Sequence, residues 1–196
     1  KTWQLYFEHL YAKHLPLVDL FINVCDSIRE KCLETFGKDS IVIPNAAFYS
    51  DLSPKAVSDP IRLIHHGGAN RSRKIEEMIR LAELLGPGYE LTLMLMPNDP
   101  VYFAELREQA AHMGNVRFID SVSFREIVPT LNHFDIGLYI LPPTSYNNAI
   151  ALPNKIYEFI QAKLCIAIGP SPEMSRLVNQ FDLGVIAQDF SDESLA

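Results

Sequence analysis

The sequence predicts a doubly wound α/β fold, with one six-stranded parallel sheet and helices on both of its faces. From residue 61 onward, six apolar runs alternate with segments of helical periodicity. The runs are continuously apolar rather than alternating with polar residues, which is typical of parallel strands covered on both faces. No internal repeat or low-complexity segment indicates another architecture.

The six strands are predicted at residues 61–66, 91–96, 115–119, 135–141, 164–168 and 183–187. Helix-start signals lie between them. Asp99 and Ser171 each stand directly before a proline, which is the expected order of a cap and a first-turn residue. Ser123 precedes Glu126 by three residues, as in a capping box. Each of the first five strands is therefore followed by a predicted helix, and another helix begins at Ser191 after the sixth.

The chain before residue 61 is organised differently. Helices are predicted at residues 2–15 and 26–37, and short strands at residues 18–24 and 40–43. Residues 46–60 contain two prolines and three serines with little periodicity, as in a linker. We therefore divide the chain into a first domain at residues 1–45, an interdomain linker at 46–60 and a second domain at 61–196. Because the chain begins with Lys1 and stops where a helix is starting, we expect an internal piece of a longer polypeptide.

The composition narrows the class of protein. The formal net charge of −7 argues against a general nucleic-acid binder, which carries a basic surface. No apolar run is long enough to span a bilayer and no signal-peptide pattern is present, so we expect a cytoplasmic protein. The three cysteines have no paired spacing, and the sequence contains no Asp-x-Asp pair. Neither a metal ion nor another cofactor is therefore expected.

The predicted sheet also predicts where a ligand binds. In a Rossmann-like sheet with strand order 3-2-1-4-5-6, the crevice lies beyond the carboxyl ends of strands one and four, where the order reverses. The loops that follow these two strands here are Gly67–Lys74 and Leu141–Lys155. Both loops have unusual local chemistry, which favours a site between them.

The first loop combines glycines with positive charge. Gly67 and Gly68 follow the strand directly, so a ligand can approach the backbone closely. Arg71, Arg73 and Lys74 precede the next helix, although cations at a helix N-terminus are unfavourable by ~0.3–1 kcal/mol each. An anion would compensate them; the alternative is a solvated basic turn. The loop lacks the GxGxxG pattern of dinucleotide-binding proteins, and the preceding His65 and His66 are predicted to be structural.

The second loop repeats this chemistry. A helix is predicted at residues 154–162, with Pro153 suited to its start and Lys155 close behind. Glu158 lies one turn later on the same face as Lys155, where a carboxylate can accept hydrogen bonds from vicinal hydroxyls. The alternative is an exposed i, i+3 ion pair that stabilises the helix slightly.

Residues 152–174, LPNKIYEFIQAKLCIAIGPSPEM, resemble the donor-site helix and following strand of group 1 (family 4) glycosyltransferases, which have the GT-B fold. Four further segments resemble the same family in the same order: DLFINVCDS at 19–27, IVIPN at 41–45, NVRFIDSVS at 115–123 and FDIGL at 134–138. The resemblance implies that residues 61–196 are the C-terminal, nucleotide-sugar-binding domain. Residues 1–45 would then be the end of the N-terminal acceptor domain.

The resemblance also implies roles for individual residues. Lys74, Lys155 and Glu158 match residues that contact the donor diphosphate and the ribose, and are predicted to be catalytic. Donor binding is further predicted for Gly67, Gly68, Arg71, Arg73, Ile119, Asp120, Val122, Asn148, Pro153 and Asn154. Within this set, the loop from Ile119 to Val122 would face the base, and the Asn148 amide could bond sugar hydroxyls.

The sequence departs from the family pattern at two positions. The first glutamate of the family's paired-glutamate motif is replaced by Ile150, eight residues before Glu158. The arginine that directly follows the loop glycine is absent, because Gly68 and Ala69 occupy the candidate positions. These departures leave the identity of the donor sugar open, and Arg71 or Arg73 could supply the missing charge.

The resemblance implies a glycosyltransferase that moves a sugar from a nucleoside diphosphate to an unknown glycan or lipid-linked acceptor, in polysaccharide or glycoconjugate biosynthesis. It further implies a retaining, metal-independent reaction without a cofactor. The missing domain would supply most acceptor contacts, and any peripheral membrane association, so catalysis by this chain alone is not expected. Two alternatives are a GT-B-shaped sugar-nucleotide epimerase and a non-catalytic nucleotide-binding domain.

Overall fold

A computed structural model of the chain describes residues 2–196, with side chains from residue 5 onward. The chain divides between Asn45 and Ala46 into two compact units. Unit 1 ends at Asn45, and unit 2 extends from Ala46 to Ala196. Within the described residues, no helix has both the length and the apolar character that crossing a membrane requires.

The described part of unit 1, residues 2–45, contains two α-helices and one pair of parallel strands: α1 (Thr2–His14), β1 (Ile22–Asn23), α2 (Asp26–Phe36) and β2 (Ile41–Val42). β1 is shorter than the predicted strand at 18–24, and a 3₁₀ turn that contains Pro16 precedes it at Leu15–Leu17. α2 ends where predicted because Gly37 adopts the left-handed conformation, with φ of 65°. The Gly37 N–H donates to the Leu33 carbonyl at 2.9 Å and closes the last turn.

Unit 2 is built on a six-stranded sheet: β3 (Ile61–Gly68), β4 (Tyr89–Met96), β5 (Val116–Ile119), β6 (Ile136–Tyr139), β7 (Cys165–Ile168) and β8 (Gly184–Ile186). All neighbouring strands are parallel, in the order β5-β4-β3-β6-β7-β8. Counted from β3, this is the predicted order 3-2-1-4-5-6. The predicted α/β class and parallel sheet are confirmed.

The helices of unit 2 are α3 (Ile75–Leu85), α4 (Pro100–Gln109), α5 (Ile127–Leu131), α6 (Tyr146–Ala149), α7 (Asn154–Gln161), α8 (Pro172–Phe181) and α9 (Asp192–Leu195). α4 begins as predicted, because the Asp99 carboxylate accepts the Tyr102 N–H at 3.0 Å. The short helix α6 was not predicted and lies in what was expected to be an irregular polar loop. Ser145 caps it by accepting the Asn148 N–H at 3.2 Å.

The core of unit 2 fixes helix α7 against strand β6. Phe159 of α7 is fully buried, and a Cβ atom on Gly137 of β6 would lie only 2.4 Å from its ring. The absence of a side chain at Gly137 therefore lets the ring pack directly on the strand backbone. Because β6 is next to β3 in the sheet, this packing holds the start of α7 beside the carboxyl ends of both strands.

Residues 46–60 form neither helix nor strand and are bonded to the rest of unit 2. The Gln161 amide donates to the Ser50 carbonyl at 2.7 Å, and the Ser58 N–H donates to the Asp135 carboxylate at 3.1 Å. The side chains of Ala47 and Leu52 pack against the core. This segment is thus attached to unit 2 along its length.

Candidate functional site

The sheet order of unit 2 reverses between β3 and β6. β3 pairs with β4 on one side and with β6 on the other, and the chain leaves both β3 and β6 at the same edge of the sheet. Such switch points form the ligand-binding crevices of open α/β sheets. The loops after these two strands are the loops that the sequence predicts to form the site.

Lys155 lies against the backbone of the first loop. A Cβ atom on Gly67 would be 3.3 Å from the Lys155 ammonium nitrogen, and Gly67 has a φ of 126°. Only glycine adopts this backbone conformation readily. Gly67 therefore serves two purposes, since it allows the turn of the chain and the close approach of Lys155.

The Lys155 ammonium group is enclosed, although the side chain as a whole is partly exposed. It lies 4.5 Å from the centroid of the Tyr139 ring, within the range of a cation–π contact. Burial, followed by the charge of Arg73, lowers the pKa of Lys155 to about 8, while Glu158 acts in the opposite direction. A bound anion would favour the charged form of this lysine.

Arg73 reaches the same tyrosine from the first loop. Its Nη1 atom donates to the Tyr139 hydroxyl oxygen at 2.6 Å. Tyr139 is fully buried at the end of β6, and burial raises the pKa of its hydroxyl. Two cations from two different loops thus converge on one buried aromatic ring.

Glu158 lies next to these cations but faces a histidine. Its Oε2 atom is 3.2 Å from His66 Nε2, and the side chains of Glu158 and His66 are only 8% and 7% exposed. Burial, more than any other influence, lowers the pKa of His66, although Glu158 opposes it. His66 Nε2 has no well-aligned hydrogen bond within the described chain, so this buried pair retains capacity for a further polar partner.

An apolar cavity of about 170 Å³ adjoins this pair. Its lining comes from the carboxyl ends of β3 and β4, the loop after β5 and the start of α5: His66, Gly67, Met94, Met96, Ser121, Val122, Phe124 and Ile127. An apolar cavity of about 150 Å³ accommodates a benzene ring. The cavity is therefore large enough for one six-membered ring.

Phe124 stands at the mouth of the cavity and is 58% exposed. Its ring meets that of Phe48 edge to face, at 5.4 Å between centroids. A second, smaller cleft of about 50 Å³ is lined by both phenylalanines and by Glu158. Exposed aromatic rings beside a buried carboxylate offer a flat stacking surface and a hydroxyl acceptor close together.

Four of the residues predicted from the sequence are brought together: Gly67, Arg73, Lys155 and Glu158. Val122 lies beside them in the wall of the cavity. Pro153 is the N-cap of α7, and Asn154 is its exposed first residue. Gly68 follows Gly67 and faces the side chains of Asn70 and Asn98.

The other predicted residues point elsewhere. Both terminal nitrogens of Arg71 bond Glu105 at 2.7 Å. Lys74 lies 3.4 Å from Glu76. Ile119 packs against the core, and Asp120 is exposed. The Asn148 side-chain amide donates to the Ser72 carbonyl at 2.8 Å and therefore joins the two loops to each other.

The structure adds residues that sequence reasoning did not assign to the site. His66 was predicted to be structural, and Tyr139 and Phe124 were not singled out. A strand that ends in adjacent histidines beside the switch point was an available signal for His66. No comparable signal existed for Tyr139, because Arg73 and His65 are distant from it in sequence and Lys155 stands at the far end of the loop that follows β6. Among residues 2–196, no cluster of three or more His, Cys, Asp or Glu side chains could hold a metal ion.

These features define a doubly wound α/β domain with a basic, aromatic-lined crevice at its switch point. No family model matches the chain, and no curated protein matches it. Solved structures with a similar fold include glycosyltransferases. A glycosyltransferase from Rickettsia africae is 14% identical with a TM-score of 0.72, over 97% of this chain and 55% of that chain.

Two further structures are similar. HepE from Anabaena, solved in complex with UDP and glucose, is 15% identical with a TM-score of 0.70, over 91% of this chain and 52% of that chain. WaaG, a glycosyltransferase involved in lipopolysaccharide biosynthesis, is 16% identical with a TM-score of 0.62, over 89% of this chain and 50% of that chain. The chain has the fold of GT-B glycosyltransferases and spans about half of their length.

Proposed function

We propose that this chain is the donor-binding part of a glycosyltransferase that takes a sugar from a nucleoside diphosphate. One observation carries the proposal. Lys155 and Arg73 converge on Tyr139 immediately beside the buried Glu158, at the switch point of a GT-B fold. Residues 1–45 would belong to the acceptor domain, and residues 46–60 would connect the two domains.

The order of the groups along the crevice matches the order of groups in the ligand. The apolar cavity and Phe124 would receive the base. His66 lines that cavity and lies 3.2 Å from Glu158, which would accept hydrogen bonds from the ribose hydroxyls. Gly67 also lines the cavity and contacts Lys155, which with Arg73 would hold the diphosphate. Base, ribose and diphosphate therefore correspond to neighbouring groups.

The proposed chemistry is electrostatic. Transfer of the sugar leaves negative charge on the departing nucleoside diphosphate, and prearranged cations stabilise that charge as it develops. Lys155, Arg73 and the positive end of the α7 dipole would supply this stabilisation. Together with the absence of an Asp-x-Asp pair in the sequence, this supports a metal-independent reaction. Retention of configuration is proposed by resemblance alone.

The comparisons support the choice of probe. HepE binds UDP and glucose, and WaaG acts in lipopolysaccharide biosynthesis. UDP is therefore the first nucleotide to test, with GDP and ADP alongside it. The acceptor would be a glycan or a lipid-linked saccharide in polysaccharide or glycoconjugate biosynthesis.

Calorimetric titration of the chain with UDP, GDP and ADP tests the donor site. We expect one of them to bind, and we expect Lys155→Met to weaken that binding by at least about tenfold, because contacts to charged groups contribute about 1.5–3 kcal/mol. Arg80→Met is the matched control, since Arg80 is a cation of α3 that pairs with Glu77 and Asp192. Failure of all three nucleotides to bind at millimolar concentration would refute the proposal.

Glu158→Gln tests the ribose contact separately. The amide keeps the shape of the side chain and loses the negative charge, so we expect affinity for the nucleoside diphosphate to fall by about three- to tenfold. Glu83→Gln, at an exposed position of α3, is the control. A Glu158→Gln variant that binds like the parent chain would remove Glu158 from the site. Product analysis with a labelled donor and the full-length protein then distinguishes transfer from epimerisation.

A further inference from the structure

Tyr139 occupies an unusual position, because it contacts one cation from each of the two loops and a histidine of β3. Lys155 lies 4.5 Å from its ring centroid, and Arg73 donates to its hydroxyl at 2.6 Å. The His65 ring stacks on it, with centroids 5.6 Å apart and planes inclined by 11°. The tyrosine is fully buried.

We propose that Tyr139 is a positioning residue, which holds Lys155 and Arg73 side by side so that both can engage one diphosphate. The inference rests on the proposed function, since it assigns the control of that site to a residue that need not touch the ligand. The two cations belong to different loops and repel each other. A shared partner that accepts a hydrogen bond through its oxygen and attracts a cation through its ring offsets that repulsion.

The two loops are tied together independently of Tyr139. The Asn148 amide donates to the Ser72 carbonyl at 2.8 Å and to the Thr144 hydroxyl at 2.8 Å. This link places the residue before Arg73 at a fixed distance from the second loop. The Tyr139 hydroxyl then determines the direction of the Arg73 side chain rather than the position of its backbone, so its loss can be studied without dissociating the loops.

The arrangement has a consequence for pH. The groups that face Lys155 are Arg73 from the first loop, Glu158 from α7, Tyr139 from β6, and His65 and His66 from β3. Burial and Arg73 lower the pKa of Lys155 to about 8, so the free site loses this proton as pH rises through 8. A diphosphate favours the charged lysine. Binding therefore takes up a proton above that pH, and affinity falls as pH rises further.

Tyr139→Phe separates positioning from packing. The ring and its contact with Lys155 remain, whereas Arg73 loses its acceptor and is free to turn away. We expect affinity for UDP at pH 7 to fall by about three- to tenfold, as for loss of one oriented charged contact. Because Arg73 then repels Lys155 less, the pH at which affinity begins to fall should move upward. A purely structural role would not move this inflection.

The experiment measures the binding of UDP and uridine to the chain between pH 6.5 and 9.5, with the parent chain, Tyr139→Phe and Tyr139→Leu. Tyr89→Phe, at the opposite end of the sheet where β4 begins, is the control. The inference is supported if only the affinity for UDP falls and the pH at which that affinity begins to fall moves upward. Tyr139→Leu should lose more affinity for UDP than Tyr139→Phe. If UDP binding is unchanged in the Tyr139 variants, or if the affinity for uridine falls by the same factor, the role of Tyr139 is refuted and the proposed function still stands. If the parent chain binds no nucleoside diphosphate, the proposed function fails as well.

Discussion

His66 Nε2 lies 3.2 Å from Glu158 Oε2, and this contact joins the end of strand β3 to helix α7. Both side chains are buried. Because burial lowers the pKa of His66, its ring is neutral at pH 7. The neighbouring carboxyl group is buried as well, and a buried polar group needs hydrogen-bond partners. The site therefore holds a carboxylate that is prepared to accept hydrogen bonds from a ligand.

The coupling of these two residues can be measured by a double-mutant cycle. We expect His66→Leu and Glu158→Gln each to weaken UDP binding, and the double variant to lose less than the sum, with an interaction energy of about 0.5–3 kcal/mol. The physical reason is that His66 acts on the ligand by orienting Glu158. Calorimetry on the four proteins checks this. Strictly additive losses would mean that the two side chains act independently.

Gly137→Ala tests whether α7 is held by its packing on β6. The new methyl group would meet the Phe159 ring at 2.4 Å, so the helix must shift. Overpacking of this kind costs about 1–3 kcal/mol. We expect a lower midpoint of thermal unfolding and weaker UDP binding, because Lys155 and Glu158 move with the helix.

Gly88→Ala is the control for that substitution, since a Cβ atom at Gly88 would meet nothing within 4 Å. It should leave both stability and UDP binding close to those of the parent chain. If Gly137→Ala lowers stability but leaves UDP affinity unchanged, the position of α7 does not govern the site.

Acid should destabilise unit 2 through its buried histidines. Burial, more than the nearby charge of Lys155, lowers the pKa of His65 well below 6.5 in the folded protein. The unfolded chain takes up that proton below pH 6.5, whereas the folded protein does not, so stability falls as pH drops. Each such histidine contributes a slope of up to about 1.4 kcal/mol per pH unit.

We therefore expect the unfolding free energy to decrease between pH 7 and pH 5. His65→Phe keeps an aromatic ring beside Tyr139 and removes the titrating group, so it should reduce this slope. His112→Phe, at an exposed position, is the control. Urea denaturation at a series of pH values measures the slopes, and an unchanged slope in His65→Phe would contradict the assignment.

Phe124→Ala tests the apolar cavity as the base site. Stacking of a base on an aromatic side chain contributes about 1–3 kcal/mol. Removal of the exposed ring should therefore lower the affinities for UDP and for uridine by similar factors. Tyr139→Phe, in contrast, should lower only the affinity for UDP. Phe181→Ala removes another exposed phenylalanine, in α8, and serves as the control. A loss seen with UDP but not with uridine would place the base elsewhere.

The sequence by itself determined the architecture. Continuous apolar runs that alternate with helical segments predicted six parallel strands, because side-chain period and element length are local properties. The order of the strands came from the doubly wound fold class. The same patterns placed Gly67, Lys155 and Glu158 at the switch point. Local patterns did not predict helix α6, because a single capped turn inside a polar loop has no periodicity.

Only the tertiary structure decided which of the basic residues face the crevice. Arg71 and Arg73 stand two positions apart and are equivalent in the sequence, yet Arg71 bonds Glu105, 34 residues away, whereas Arg73 bonds Tyr139, 66 residues away. His66 likewise meets Glu158, which is distant along the chain, and Lys155 meets the distant Gly67 as well as the nearer Tyr139. Side-chain direction depends on such long-range contacts, which local spacing does not encode. The roles of Tyr139 and His66 and the ring-sized cavity were therefore not predictable from the sequence.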